Sequence, residues 1–169
     1  MARTQDTWPA GATWVFQGTV LEDATVGTHL SSLTVTPGAG NELLVLYGRI
    51  VVGNTATAQV VSIFIDDGTN LLVRPLFVSN TTASVEYQIG YEETATTINP
   101  SANVDRISLD RPFIVSGTMR LVLQVSTTIV SLTQTFAIAC RIKSSALPTA
   151  TLADTVGVPT LTTNTNQVF

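Results

Sequence analysis

Apolar residues fall at every second position along most of this chain. In "TMRLVLQVS" (residues 118–126) Met119, Leu121, Leu123 and Val125 alternate with Thr118, Arg120, Gln124 and Ser126. In "QTFAIACRIK" (134–143) Phe136, Ile138, Cys140 and Ile142 share one side, and Thr135, Arg141 and Lys143 the other. A period of two places successive side chains on opposite faces of a strand, whereas a helix repeats every three to four residues. The same alternation runs through 13–21 (Trp14, Phe16, Val20), 28–36 (Leu33, Val35), 58–66 (Val61, Ile63, Ile65) and 84–92 (Val85, Tyr87, Ile89, Tyr91). No segment carries a convincing helical period.

Turn residues punctuate these runs. Pro37-Gly38-Ala39-Gly40 marks a bend, and Asp67-Gly68 is a strong hairpin signal. Residues 71–78, "LLVRPLFV", are apolar on both sides, and Pro75 has no N–H for a ladder, which assigns this run to a sheet edge or a bulge. A long loop is expected over about 93–103, then a short strand near 104–109. Eight or nine closely spaced strands with no helix predict an all-β, two-sheet antiparallel β-sandwich, jelly-roll-like, of about eight strands. The 169 residues suffice for one domain with its own core. Residues 13–143 are assigned to that domain, 1–12 to an N-terminal arm and 144–169 to a Thr-rich extended C-terminal arm.

One strand departs from the alternation. "NELLVLYGRIVVGN" (41–54) has Leu43, Val45 and Val51 at odd positions and Leu44, Leu46, Ile50 and Val52 at even ones. Both of its faces are apolar, yet a sandwich strand has only one core to face. A subunit neighbour or a terminal arm is the expected cover, with the chain's own 93–103 loop as the alternative. Leu44, Leu46, Ile50 and Val52 are therefore candidate interface residues. The C-terminal segment holds Leu147, Leu152, Val156, Val158, Leu161, Val168 and Phe169, two prolines and one charge, Asp154. Solvated tails are charge-rich and poor in apolar residues, so an arm laid over a neighbouring subunit is expected here; a disordered tail and a further strand of the same domain are the alternatives. Trp8, Leu152, Val156, Val158, Leu161 and Phe169 join the candidate interface.

Charge is scarce. Charged residues make up 12% of the chain, where about 25% is usual, and the net charge is −4. Lys143 is the only lysine, and the seven arginines are scattered. Binding to nucleic acid relies on clustered cations, so no nucleic-acid partner is expected. No apolar run reaches the roughly 18 residues of a membrane helix, and no membrane partner is expected. The N-terminus lacks the apolar stretch of a signal peptide, which predicts synthesis in the cytoplasm.

The residues that carry chemistry are few. His29 is the only histidine and stands at a strand start, where a surface position is the expectation; no nucleophile elbow accompanies it. Cys140, the only cysteine, falls on an inward face as a small hydrophobe, and no intrachain disulfide can form. Asp66-Asp67 and Glu92-Glu93 are adjacent pairs, which a strand points to opposite faces, so neither forms an acid–base dyad. Asp66-Asp67-Gly68 reads as turn chemistry, with a calcium loop as the weaker alternative because the repeated Asp spacing is missing. Trp8, Trp14, Tyr47, Tyr87 and Tyr91 are able to stack on sugars, but aromatics at strand spacing are more often core or interface. No catalytic residue, metal site or cofactor is assigned, and the chain is not expected to be an enzyme.

The run "SLTVTPGAGNELLVLYGRIVVGNTATAQVVSIFIDDGTNLL", followed by "RPFIVSGTMRLVLQVSTT" and "TFAIACRIK", resembles small jelly-roll virion proteins of tailed bacteriophages over about residues 30–143. Ser116-Gly117-Thr118 stands where that group usually has Gly-Asp. The resemblance implies a non-enzymatic virion protein, made in the host cytoplasm. Its expected role is a capsid decoration or stabilising protein that forms a homo-oligomer, with a trimer favoured, and docks on the major capsid protein. A head–tail or tail component, or a fibre-borne receptor- or carbohydrate-binding module, is the alternative.

Overall fold

The computed structural model describes residues 13–21, 29–53, 58–81, 86–91, 104–109, 113–127, 133–142, 148–154 and 158–167. These form β1 (Thr13–Leu21), β2 (His29–Thr36), β3 (Gly38–Val51), β4 (Gln59–Asp66), β5 (Leu71–Thr81), β6 (Glu86–Tyr91), β7 (Val104–Leu109), β8 (Phe113–Gly117), β9 (Arg120–Thr127), β10 (Thr133–Ile142), β11 (Thr149–Asp154) and β12 (Val158–Gln167). Among the described residues there is no helix.

The strands lie in two sheets. One runs β12-β1-β10-β3-β6-β7, with β8 also paired to β3; the other runs β11-β2-β9-β4-β5. In the quartets β1-β10-β3-β6 and β2-β9-β4-β5 successive strands cross between the layers except at the β4–β5 hairpin, which is the double Greek key of a jelly roll. Every pairing is antiparallel except β6 with β7. At Pro37–Gly40 the chain turns from one sheet into the other. Gly38 and Gly40 take φ of 92° and 76°, a left-handed region closed to most side chains, and the Asn41 side chain donates to the Pro37 carbonyl at 3.2 Å.

The alternating residues form the core in registered rows. Leu33, Leu123 and Ile63 lie side by side across β2, β9 and β4, with Val35, Leu121 and Ile65 in the next row. The facing sheet answers with Phe16, Ile138, Gly48 and Ile89, then Gly18, Phe136, Ile50 and Tyr87. Burying each large aliphatic or aromatic side chain contributes about 1.5–3 kcal/mol. Gly48 is the low point of its row, and Leu123 from the opposite sheet fills the space above it. A methyl group there would lie 3.3 Å from Ile89 Cγ2 and 3.4 Å from Leu123 Cδ1. Both neighbours are buried, so they must give by a few tenths of an ångström within a close-packed core. Gly48→Ala is therefore expected to destabilise by about 1–2 kcal/mol despite the entropy alanine saves. Equilibrium urea unfolding measures it, and an unchanged or higher midpoint would contradict this packing.

The two-faced look of β3 has a local cause. On β10, Ala139 pairs with Tyr47 and the next residue, Cys140, pairs with Val45, so Leu46 is an extra residue on β3. This β-bulge switches the phase of the strand. Leu43 and Val45 face the core before it, and Gly48, Ile50 and Val52 after it. Ile50 and Val52 are fully buried, which corrects their reading as interface residues: they were never on the second face. Leu44 and Leu46 remain outside and gather with Tyr47 and Ala139 into a small second cluster, where Leu46 is buried within the single chain.

The C-terminal segment also differs from the expected arm. β11 pairs with β2, from Thr149–Thr36 to Asp154–Ser31, and β12 pairs with β1. Both are edge strands of the same sandwich, and Leu152 is a core residue beside Leu33. The further-strand alternative is the one found, because two free sheet edges are there to accept the segment. The expected N-terminal arm (1–12) and the 93–103 loop lie outside the described residues.

Candidate functional site

The most unusual surface of the molecule is the β4–β5 hairpin. Six large hydrophobic side chains are exposed among the described residues, and four belong to β5: Leu71 (50% exposed), Leu72 (44%), Val73 (47%) and Phe77 (55%). β5 is the outer strand of its sheet, which explains their exposure. Its pairing with β4 slips three times, between Asp66 and Ile65, between Ile65 and Ile63, and between Val61 and Gln59. The second slip takes in Pro75, so this strand has both the edge position and the irregularity expected of it. These breaks roll Leu71–Val73 off the core, and three consecutive apolar residues face solvent. Arg74 follows them, with its guanidinium 5.0 Å from the Phe77 ring centroid.

The turn is built by its own carboxylates. Asp67 Oδ1 accepts from the Asn70 amide at 2.6 Å and the Thr69 amide at 2.8 Å, and Asp67 Oδ2 accepts from the Asn70 side chain at 3.2 Å. These bonds hold the exposed Asp67 carboxyl below its usual range, with the Asn70 amide the largest cause. Asp66 accepts a bidentate pair from Arg120, Nε to Oδ1 at 2.6 Å and an Nη to Oδ2 at 2.8 Å, and a third bond from the Gly68 amide. Both carboxylates are thus engaged in protein contacts, in keeping with turn chemistry. Among the described residues no three His, Cys, Asp or Glu gather in a metal-binding group.

Arg120 depresses the Asp66 pKa below its ordinary 3.8, chiefly through the side-chain bond. A depressed carboxylate stabilises the fold above its unfolded-state value of about 3.9, and this is lost as pH falls through the lower folded value. Arg120 is more than a third exposed, so the pair contributes about 1 kcal/mol or less. Arg120→Gln is expected to lose that amount at neutral pH and to flatten the pH dependence of stability below about pH 4. Urea midpoints across that range measure it; an unaltered acid slope would show that Asp66 is not its source.

His29 is fully buried, a correction of its expected surface position: the odd residues of β2 point inward, and His29 shares that phase with Leu33 and Val35. Cys140 is buried and its thiol is pushed up to about 12 by desolvation, so it stays an inert hydrophobe. Tyr87 is in the core, whereas Tyr47 lies outside beside Arg49, so the two do not share a sugar-binding face. Arg49 Nε donates to Glu86 Oε1 at 2.6 Å and an Nη to Oε2 at 3.1 Å; the Gln88 side chain also donates to Glu86 Oε1, which lets that carboxylate be buried on the outer face of β6. Val158 and Leu161 lie on β12 opposite Leu21 and Gly18 of β1. Trp8, Val156, Phe169, Glu92 and Glu93 fall outside the described residues. Leu71, Leu72, Val73 and Phe77 were missed as surface candidates, although an apolar run at a sheet edge was the signal for them.

Comparison of the chain with protein-family models, curated proteins and solved structures found no match in any of the three.

Proposed function

We propose that this chain is a non-enzymatic structural protein of a tailed-phage particle. In this reading it is a capsid decoration or stabilising protein that self-associates and docks on the major capsid protein. The observation that carries this reading is the concentration of exposed apolar side chains on one edge hairpin, Leu71, Leu72, Val73 and Phe77, in a chain with only 12% charged residues. Contiguous exposed apolar patches of a few hundred Å² mark contact surfaces on soluble proteins. A rigid jelly roll presents such a hairpin with little loss of entropy on docking.

Cryo-electron microscopy of particles from the source, stripped of this protein and then given it back, tests the proposal. Density at regular positions of the capsid lattice is expected. Density confined to the neck, tail or a fibre would overturn the decoration role, and absence from every part of the particle would overturn the virion reading.

A further inference from the structure

The hairpin carries a second pattern besides its apolarity. At its tip stands Asp67, an exposed carboxylate with no salt bridge among the described residues. Next come Leu71, Leu72 and Val73, about half exposed, and then Arg74, an exposed guanidinium with no carboxylate partner among the described residues. The order is negative, apolar, positive along one element. Turned end for end, it is its own complement.

We propose that the β4–β5 hairpin binds a second copy of this chain. Two hairpins lie antiparallel across a twofold axis, with Leu71–Val73 of one against those of the other and Asp67 of each beside the other's Arg74. The contact is isologous, since the same residues serve on both sides. The inference rests on the self-association in the proposed function and names its surface. A twofold pair also replaces the threefold assembly that the phage resemblance implies.

Side chains hold this contact. Pro75 has no N–H to donate, and the three slips in the β4–β5 register interrupt the outer edge, so β5 is poorly made to extend its ladder into another sheet. The buried apolar area, several hundred Å² per copy, lies at or below the usual size for a stable complex of about 800 Å² per partner, so the dimer is expected to dissociate on dilution. Arg74 adds its stacked Phe77 ring to the rim of the contact.

Charge reversal tests the register. Asp67→Arg places two cations at each end of the pair, and Arg74→Asp two anions. Each variant alone is expected to raise the dimer dissociation constant roughly tenfold or more. Mixed in equal amounts, the two pair with each other, because the reversed charges then face opposite ones. Sedimentation velocity of the wild type, each variant and the mixture reads these states. Arg74→Asp alters an exposed side chain outside the turn, and Leu72→Lys supplies a second variant expected to abolish the dimer. Thermal unfolding checks that each variant is folded. A wild-type dimer lost in each single variant and restored in the mixture supports the surface. An oligomer unchanged by the substitutions, or a trimer, would overturn this surface and leave self-association standing. A wild-type monomer at every concentration would overturn both.

Discussion

A chain ending at Pro148 is expected to lose most of its stability as a monomer. The deletion removes β11 and β12, which cover the outer edges of β2 and β1. It takes away the six-residue ladder from Thr149–Thr36 to Asp154–Ser31, along with Leu152, which is only 8% exposed and lies beside Leu33. Leu152 alone accounts for about 2–5 kcal/mol, the usual cost of truncating a core leucine to alanine. Each lost ladder bond adds roughly 0.5–1.5 kcal/mol. The sum reaches a large part of the 5–15 kcal/mol that holds an ordinary domain together. We therefore expect either no cooperative unfolding transition or a fall in melting temperature of about 10–20 °C. Leu152→Ala is the milder companion, with an expected loss of about 2–3 kcal/mol. An arm serving only a neighbour would behave otherwise: deleting it would weaken assembly and leave the monomer's melting point where it was. Calorimetry of the truncated and full-length chains at low concentration separates the two.

Why the C-terminal strands were illegible follows from their place. A central strand packs a full face on the core and sets an apolar residue at every second position, as β9 and β10 do. An edge strand contributes few core side chains; β11 needs only Leu152 and the partly buried Ala150, so its sequence, "TATLAD", has almost no period to read. β3 failed for a different reason. Its phase switch from Leu43 and Val45 to Ile50 and Val52 is present in the sequence, but the intervening inward position is Gly48, which has no side chain to announce it. Without the pairing to β10 a one-residue bulge looks like a strand apolar on both faces. The hairpin surface was nearer to hand. Pro75 marked an edge and the run around it was apolar; an apolar edge is by construction exposed. Charge order along that hairpin acquires meaning only once Leu71–Val73 are seen to leave the core together.

Gln134→Leu should lower stability by about 2–4 kcal/mol, more than its change in size suggests, because it opens a closed ring of hydrogen bonds. Gln134 and Gln59 are both fully buried. The Gly53 amide donates to Gln134 Oε1 at 3.2 Å, Gln134 Nε2 donates to Gln59 Oε1 at 2.8 Å, and Gln59 Nε2 donates to the Gly53 carbonyl at 2.7 Å. Gly53 follows the end of β3, Gln134 lies near the start of β10 and Gln59 starts β4. The ring thus ties both layers together where the chain crosses between them. Leucine at 134 leaves the Gly53 N–H and Gln59 Oε1 without these partners, and an orphaned polar group in an interior costs about 1–3 kcal/mol. Leucine at 59 does the same to Gln134 Nε2 and the Gly53 carbonyl. The two single variants disturb four groups between them, whereas the double variant disturbs only the two on Gly53. Gln59→Leu combined with Gln134→Leu is therefore expected to cost about as much as either change alone, well short of their sum. Urea unfolding of the four proteins completes the cycle. Strict additivity would mean that the two amides act separately and that the ring has no energetic reality of its own.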